Sequence, residues 1–283
     1  MGEYPHRLLR NHLPQGRQDI WCFATTSPQG RQDIGIIEFM EVIFTMEKKN
    51  AIYEGKAKIL YETDNPDQLI CYYKDDATAG NGAKKGTIVD KGIMNNKITM
   101  FFFDLLAKSG IENHVIKVID DRNVLIKKLD IVPLEVIIRN VAAGSLAKRL
   151  GLEEGTPMSM PVIEFCYKND ELGDPMVNNY HIYACKLATK EEMAEIEAQS
   201  LKINSIMVDY LKTKNIDLID FKLEFGRDKD GKIILADEIS PDNCRFWDSV
   251  TKEKLDKDRF RRDLGKVEDA YKEILKRLTG EVR

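Results

Sequence analysis

No run of 18 apolar residues occurs in the 283-residue sequence, so nothing in it reads as a membrane-spanning helix. The most apolar early stretch, residues 34–45, is interrupted by Glu38 and Glu41 and begins too far from the N-terminus for a signal peptide. An excess of one charge is missing too: 43 Lys and Arg face 47 Asp and Glu, a formal net charge of −4. That balance disfavours nucleic acid or an acidic membrane as a partner, and a cytoplasmic protein is expected. Cysteines are few and odd in number: Cys22, Cys71, Cys166, Cys185 and Cys244 are scattered and form no C-x-x-C pair. Neither a disulfide framework nor a zinc site is indicated, and reduced thiols are expected. The four histidines, His6, His12, His114 and His181, lack any i, i+4 metal-binding pair. Residues 80–86 (GNGAKKG) are glycine-rich but match neither a P-loop nor a dinucleotide fingerprint, and no H-R-D catalytic loop occurs.

What is present is a foldable chain with 43% hydrophobic residues, enough for one large domain or two closely packed lobes. Its first 45 residues differ from the rest. The heptapeptide PQGRQDI occurs at 14–20 and again at 28–34, and two copies cannot build a solenoid. From Met46 a charged segment leads into alternating, strand-like sequence. Residues 1–45 are therefore read as an extension outside the fold, with a docking or regulatory arm as the alternative.

Beyond Met46 the pattern predicts strands around Gly55 within 51–62 and another at 68–75. A helix is predicted over 91–109, where Ile93, Met94, Ile98, Phe101, Phe102 and Leu105 recur at helical steps and Gly110 supplies the stop. Strands near 114–119, 123–128 and 134–139 follow, then a short helix at 145–150 capped by Ser145. A long helix is predicted over 189–214, opened by Thr189 with Glu192 three residues on. A hairpin of 217–225 and 232–238 and a charged helical region at 251–279 close the chain. Strands and helices without regular βαβ alternation favour an α+β fold, with two lobes and a cleft between them.

Several stretches could carry chemistry. In 220–225 (DFKLEF) period two puts Asp220, Lys222 and Glu224 on one face and Phe221, Leu223 and Phe225 on the other. If Leu235 lies opposite Glu224, Asp237 joins the charged face opposite Lys222; a one-residue slip turns it away. Two carboxylates beside a lysine suit Mg²⁺ held with ATP phosphates, and a solvated face on an edge strand is the equal alternative. Lys56 and Lys58, alternating after Gly55, form a candidate phosphate clamp, with a solvated pair as the alternative. Arg139 precedes a helix start at 139–145 (RNVAAGS), an arrangement that favours an anion, unless Ser145 only caps the helix. Arg245 follows the acidic pair at 237–238 and could reach the same cleft. Asp174, fixed before Pro175, reads alone as a turn residue.

Taken in order, EGKAK, TAGNGA, VPLEVIIRNVAAGS, KNDELGDPMVN, LIDFKLEFG, ADEISPDNCRFWD and DKDRFRRDLG resemble the SAICAR synthetases of purine biosynthesis, from about Ile52 to the C-terminal helix. Asn81 stands where bacterial members often carry an acid. The resemblance implies an ATP-dependent ligase joining the carboxylate of carboxyaminoimidazole ribonucleotide to the amine of L-aspartate, with magnesium (Mg²⁺) as cofactor. It implies an ATP-grasp-like fold, with 46–128 as an N-terminal lid over the nucleotide and 129–283 as the substrate- and metal-binding lobe. Lys56, Lys58 and Lys128 would contact ATP, and Glu224 and Asp237 would hold Mg²⁺. Arg139, Ser145 and Arg245 would bind the ribotide, with Lys222 near its carboxylate and Asp220 steadying Lys222. Asp174 would order its loop over the substrates, and Asp76 would touch the imidazole side. The remaining readings are a small-molecule kinase on a similar fold and a nucleotide-binding regulatory module without turnover. A homo-oligomer is left open.

Overall fold

The computed structural model describes residues 47–79 and 83–280, so the N-terminal extension and the glycines at 80 and 82 lie outside the described residues. The described chain opens with three strands, β1 (Ala51–Glu54), β2 (Lys58–Glu62) and β3 (Gln68–Tyr73). A two-stranded hairpin of β4 (Asp76–Ala79) and β5 (Lys84–Thr87) leads to α1 (Lys91–Lys108), β6 (Val115–Val118) and β7 (Asn123–Lys127). Strands β1, β2, β3, β7 and β6 form, in that order, one antiparallel sheet. Its inner side chains Leu69, Cys71, Tyr73, Val124 and Ile126 are buried, as alternation in half-covered strands requires.

The second half runs through β8 (Asp130–Ile131), β9 (Leu134–Val141), α2 (Gly144–Leu150), β10 (Pro157–Tyr167), β11 (Met176–Val177) and α3 (Asn179–Ala184). It continues through α4 (Lys190–Lys212), β12 (Ile216–Arg227), β13 (Ile233–Ala236), β14 (Cys244–Asp248), α5 (Asp258–Arg261) and α6 (Val267–Thr279). Here β11, β10, β9, β12 and β13 form a second antiparallel sheet, with β14 and β8 also paired to β12. All pairings within and between these strands are antiparallel, which fits the α+β reading. Helix α4 begins at Thr189 with the reciprocal Thr189–Glu192 capping box that the sequence predicts. Its Met193, Ile196, Ile203, Met207 and Leu211 join Ile98, Phe102 and Leu106 of α1 in the main core. Four cysteines are free thiols among the described residues: Cys71, Cys166 and Cys244 are buried and Cys185 is exposed.

Two expected elements differ. Residues 251–257 are not helical. Asp248 accepts the backbone N–H groups of Val250 and Thr251, at 2.9 and 2.8 Å, and Leu255 donates its N–H to Phe246 of β14. These local bonds satisfy the backbone outside a helix, so helix begins only at Asp258. Nor does Ser145 cap α2: the cap position is Ala143, without a side-chain bond, and Ser145 Oγ instead accepts from Arg139.

Candidate active site

β12 is the spine of the site, because its neighbours bring charges into register with its own. Phe221, Leu223 and Phe225 enter the core, so the alternate residues Asp220, Lys222 and Glu224 share the opposite face. That face is not solvated: Asp220 and Glu224 are each 3% exposed. Buried charges require partners, and the adjoining strands supply them.

At one end, Asp220 lies across from Arg139 of β9 and across from Arg245 of β14. Arg139 Nη1 donates to Asp220 Oδ2 at 2.9 Å, and Arg245 Nη1 reaches both Asp220 oxygens at 2.9 Å. The other donors of Arg139 meet Glu164 at 2.7 Å and Ser145 Oγ at 3.1 Å. Arg245 Nε donates to Asp258 at 2.9 Å. Gly144 permits this clustering. Its φ is +53°, and a Cβ there would stand 2.6 Å from the Arg245 guanidinium. Burial opposes the charge on Arg245, but Asp220 and Asp258 outweigh it and raise its pKa.

At the other end, Lys222 Nζ contacts Glu224, Asp237 at 3.2 Å and Glu135 at 3.3 Å. The expected service of Asp220 to Lys222 is therefore corrected: Asp220 serves the two arginines, while Glu135, Glu224 and Asp237 hold the lysine. The hairpin register also differs by one residue, since Glu224 faces Ala236 and Phe225 faces Leu235. Regular continuation would turn Asp237 away. The chain leaves the ladder after Ala236, and a left-handed backbone at Asp237 (φ +60°) brings its carboxylate to Lys222 nonetheless. Lys58 also pairs with Asp237 and lies 3.6 Å from Glu238, and Lys168 pairs with Glu224.

These contacts set the charges. Burial works against the ammonium of Lys58 and of Lys222, yet Asp237 with Glu238 and Glu224 with Asp237 raise the two pKa values well above the usual lysine range. The Asp237 carboxyl is held far below its ordinary range against burial, by Lys58, Lys222 and Lys168. Glu224 and Asp237 both contact one ammonium, so a cation fits between them. Two carboxylates suit a Mg²⁺ ion that takes its other ligands from phosphates and water. No group of three or more acidic, Cys or His ligands occurs among the described residues.

The other expected residues lie nearby or apart. Lys56, in the β1–β2 turn, bridges to Asp170 at 2.8 Å in the loop that contains Asp174. Asp174, at φ +50°, accepts the Asn169 N–H at 2.9 Å and shapes that loop. Asp76 pairs with Lys74 at 2.7 Å, and Lys128 is exposed, its backbone bonded to Asp67. Lys168, Glu135, Glu164 and Glu238 were not singled out by the sequence. Lys168, Glu135 and Glu238 sat inside recognisable blocks without a role assigned to them; Glu164 carried no signal, because cross-strand register alone gives it its partner Arg139.

His114 braces the turn into Asp237. Its N–H donates to Leu235 O at 3.0 Å, and its buried ring lies edge-on to Phe103. Burial pulls its pKa from 6.5 down to about 4, with Lys58 acting in the same direction and Asp237 opposing. The unfolded chain therefore takes up this proton first as pH falls. Its contribution to stability is full above pH 6.5 and is lost between 6.5 and about 4, by about 3 kcal/mol in all. Urea unfolding followed from neutral pH to about pH 5 should show this loss, and His114→Gln should flatten it.

Residues 51–278 match the family model described as SAICAR synthetase. A phosphoribosylaminoimidazole-succinocarboxamide synthase of Clostridium botulinum (strain Alaska E43 / Type E3) is 63% identical over 234 residues, covering 83% of this chain and 100% of that protein. Among solved structures, the phosphoribosylaminoimidazole-succinocarboxamide synthase of Ehrlichia chaffeensis superposes with a TM-score of 0.81 at 46% identity, covering 83% of this chain and 100% of that one. A SAICAR synthetase in complex with ADP gives a TM-score of 0.80 at 52% identity, covering 82% and 98%.

Proposed function

Because this chain belongs to the SAICAR synthetase family, we propose that it joins the carboxylate of carboxyaminoimidazole ribonucleotide to the amine of L-aspartate, with ATP converted to ADP and phosphate. The observation that carries the site assignment is the division of β12 into two charged ends. Asp220 with its two arginines stands at one, and Glu224 with Asp237 and three lysines at the other. Four residue steps along the strand carry the chain from Asp220 to Glu224, about 13 Å, a span suited to a ligand with a phosphate at one end and a reacting carboxylate at the other.

In this reading Arg139, Ser145 and Arg245 bind the ribotide phosphate, and Asp220 holds the two guanidinium groups in position. Lys56 and Lys58 hold ATP phosphates, Lys128 stands near the nucleotide, and Lys222 receives the ribotide carboxylate. Glu224 and Asp237 would hold Mg²⁺, which neutralises phosphate charge when bound. Lys58, Lys168 and Lys222, which neutralise these carboxylates here, would then be free to pair with phosphate oxygens. A carboxylate is a poor electrophile. Its oxygen attacks the γ-phosphorus, ADP leaves, and the aspartate amine attacks the resulting acyl phosphate, losing a proton and expelling phosphate. Lys222 and Lys58, held charged by Glu224, Asp237 and Glu238, supply positive charge for the transfer.

The wider reading is an ATP-grasp-like arrangement in which the five-stranded sheet covers the nucleotide, while Asp76 and the Asp174 loop close on the substrates. No helix among the described residues is long and apolar enough to cross a membrane, and this reading places the enzyme in the cytoplasm. A coupled ADP-release assay with Mg·ATP, ribotide and L-aspartate tests it. Turnover should require all three. ADP release indifferent to aspartate would instead mark a kinase or an ATPase.

A further inference from the structure

Asp220 and its two arginines are the middle of a longer row of charges. Strands β10, β9 and β12 lie side by side, β14 pairs with β12 beyond them, and each contributes one charged residue to the same face. Arg139 faces Val162 of β10, so Glu164, two residues on, projects from that face along the diagonal. Across the strands, Arg149 of α2 pairs with Glu164, Glu164 with Arg139, Arg139 with Asp220, Asp220 with Arg245, Arg245 with Asp258 of α5, and Asp258 with Arg261. The signs alternate without a break, and four arginines against three carboxylates leave one positive charge in excess. Arg262 lies 3.5 Å from Asp258 but is held by both oxygens of Glu154.

Burial makes this count matter. The side chains of Glu164, Arg139 and Asp220 are 9, 5 and 5% exposed, and among buried groups an unmatched charge is weakly screened and acts on its neighbours. Arg139 lies between two carboxylates, Glu164 at 2.7 Å and Asp220 at 2.9 Å. With those two alone around it, the cluster would repel an anion. Arg245 occupies both oxygens of Asp220 on one side, and Arg149 occupies the remaining oxygen of Glu164 on the other. These outer arginines return positive character to Arg139.

Arg149 is the open end of the row, 37% exposed at its side chain and one helical turn beyond Ser145 on α2. Its only hydrogen bond among the described residues goes to Glu164 Oε1. Without it, that oxygen would take a second donor from Arg139 and draw the guanidinium off Ser145 Oγ, to which Arg139 Nη2 donates at 3.1 Å. We infer that Arg149 is a positioning residue for the ribotide phosphate. By neutralising Glu164 it keeps the row positive and Arg139 turned towards Ser145, and it does so without touching the ligand. This inference rests on the ligase reading above.

Two single variants and their combination separate this role from direct contact. Arg149→Met keeps the apolar stem and removes the excess charge, so the KM for ribotide should rise by about 10-fold, with those for Mg·ATP and L-aspartate changed by less than about 2-fold. Glu164→Gln keeps an oxygen for Arg139 Nε and leaves the row more positive, so the ribotide KM should not rise. The double variant restores the original excess and should return the ribotide KM to within about 2-fold of wild type, a rescue that additive effects cannot give. Ribose 5-phosphate carries the phosphate without the base or its carboxylate, and its inhibition constants should follow the same order. A double variant as impaired as Arg149→Met would mean that Arg149 grips the phosphate itself, and equal rises in all three KM values would mean that it only braces α2; either overturns the inference. So would an unchanged ribotide KM in Arg149→Met. Should that variant be too unstable to assay, the double variant decides alone, because a lost direct contact would still raise its ribotide KM by about 10-fold. Wild-type ADP release that ignores aspartate would defeat the ligase reading; three-substrate turnover with no rescue would defeat only this inference.

Discussion

Glu224→Gln is expected to lower kcat by about 100-fold or more at saturating magnesium. The substitution keeps the shape of the side chain and one of its acceptors but removes a full charge from the pair that would hold the metal. The fold should survive it. Lys168 is 38% exposed at its side chain and can turn to water, and Lys222 keeps Asp237 and Glu135. The loss should therefore fall on turnover and on the magnesium requirement rather than on the thermal midpoint. Steady-state rates across a magnesium titration measure it, and a rate near wild type at saturation would remove Glu224 from the metal's ligands.

The second large effect is expected from Arg245→Ala, which should raise the KM for ribotide far more than that for Mg·ATP. A tenfold or larger separation between the two is expected, since a charge-assisted contact to one ligand is lost. A stability loss accompanies it. Breaking a buried pair costs about 3–5 kcal/mol, and the low end applies here because Asp220 retains Arg139 and Asp258 retains Arg261. Thermal unfolding measures that part separately. Equal changes in both KM values would assign Arg245 to holding β14 against β12 and not to ligand. Arg245→Lys sharpens the comparison, because it keeps the charge and loses the forked geometry that reaches Asp220 and Asp258 together.

Much of the secondary structure was legible because it rests on local physics. The Thr189–Glu192 box, the α1 periodicity and the alternation along 220–225 are short-range patterns, and each appears where the sequence places it. The misjudged pieces are those where a side chain competes for the backbone. Asp248 diverts 250–251 from helix, and Arg139 takes the Ser145 hydroxyl that a cap would have used. The hairpin shows both limits together. The sequence placed Asp237 among the charged residues by a register that does not occur, and a left-handed residue at the strand end restores the contact by another route.

The ordered motifs by themselves determined the family, the alternation of apolar and charged residues on β12 and the kinds of group available for chemistry, since these depend only on residue type and spacing. The tertiary structure decided who pairs with whom. Asp220 belongs to Arg139 and Arg245 rather than to Lys222, and Lys168 reaches Glu224 across 56 positions. Such pairings follow from strand register and from the desolvation of buried charge, and both are properties of the packed chain that no stretch of sequence contains alone.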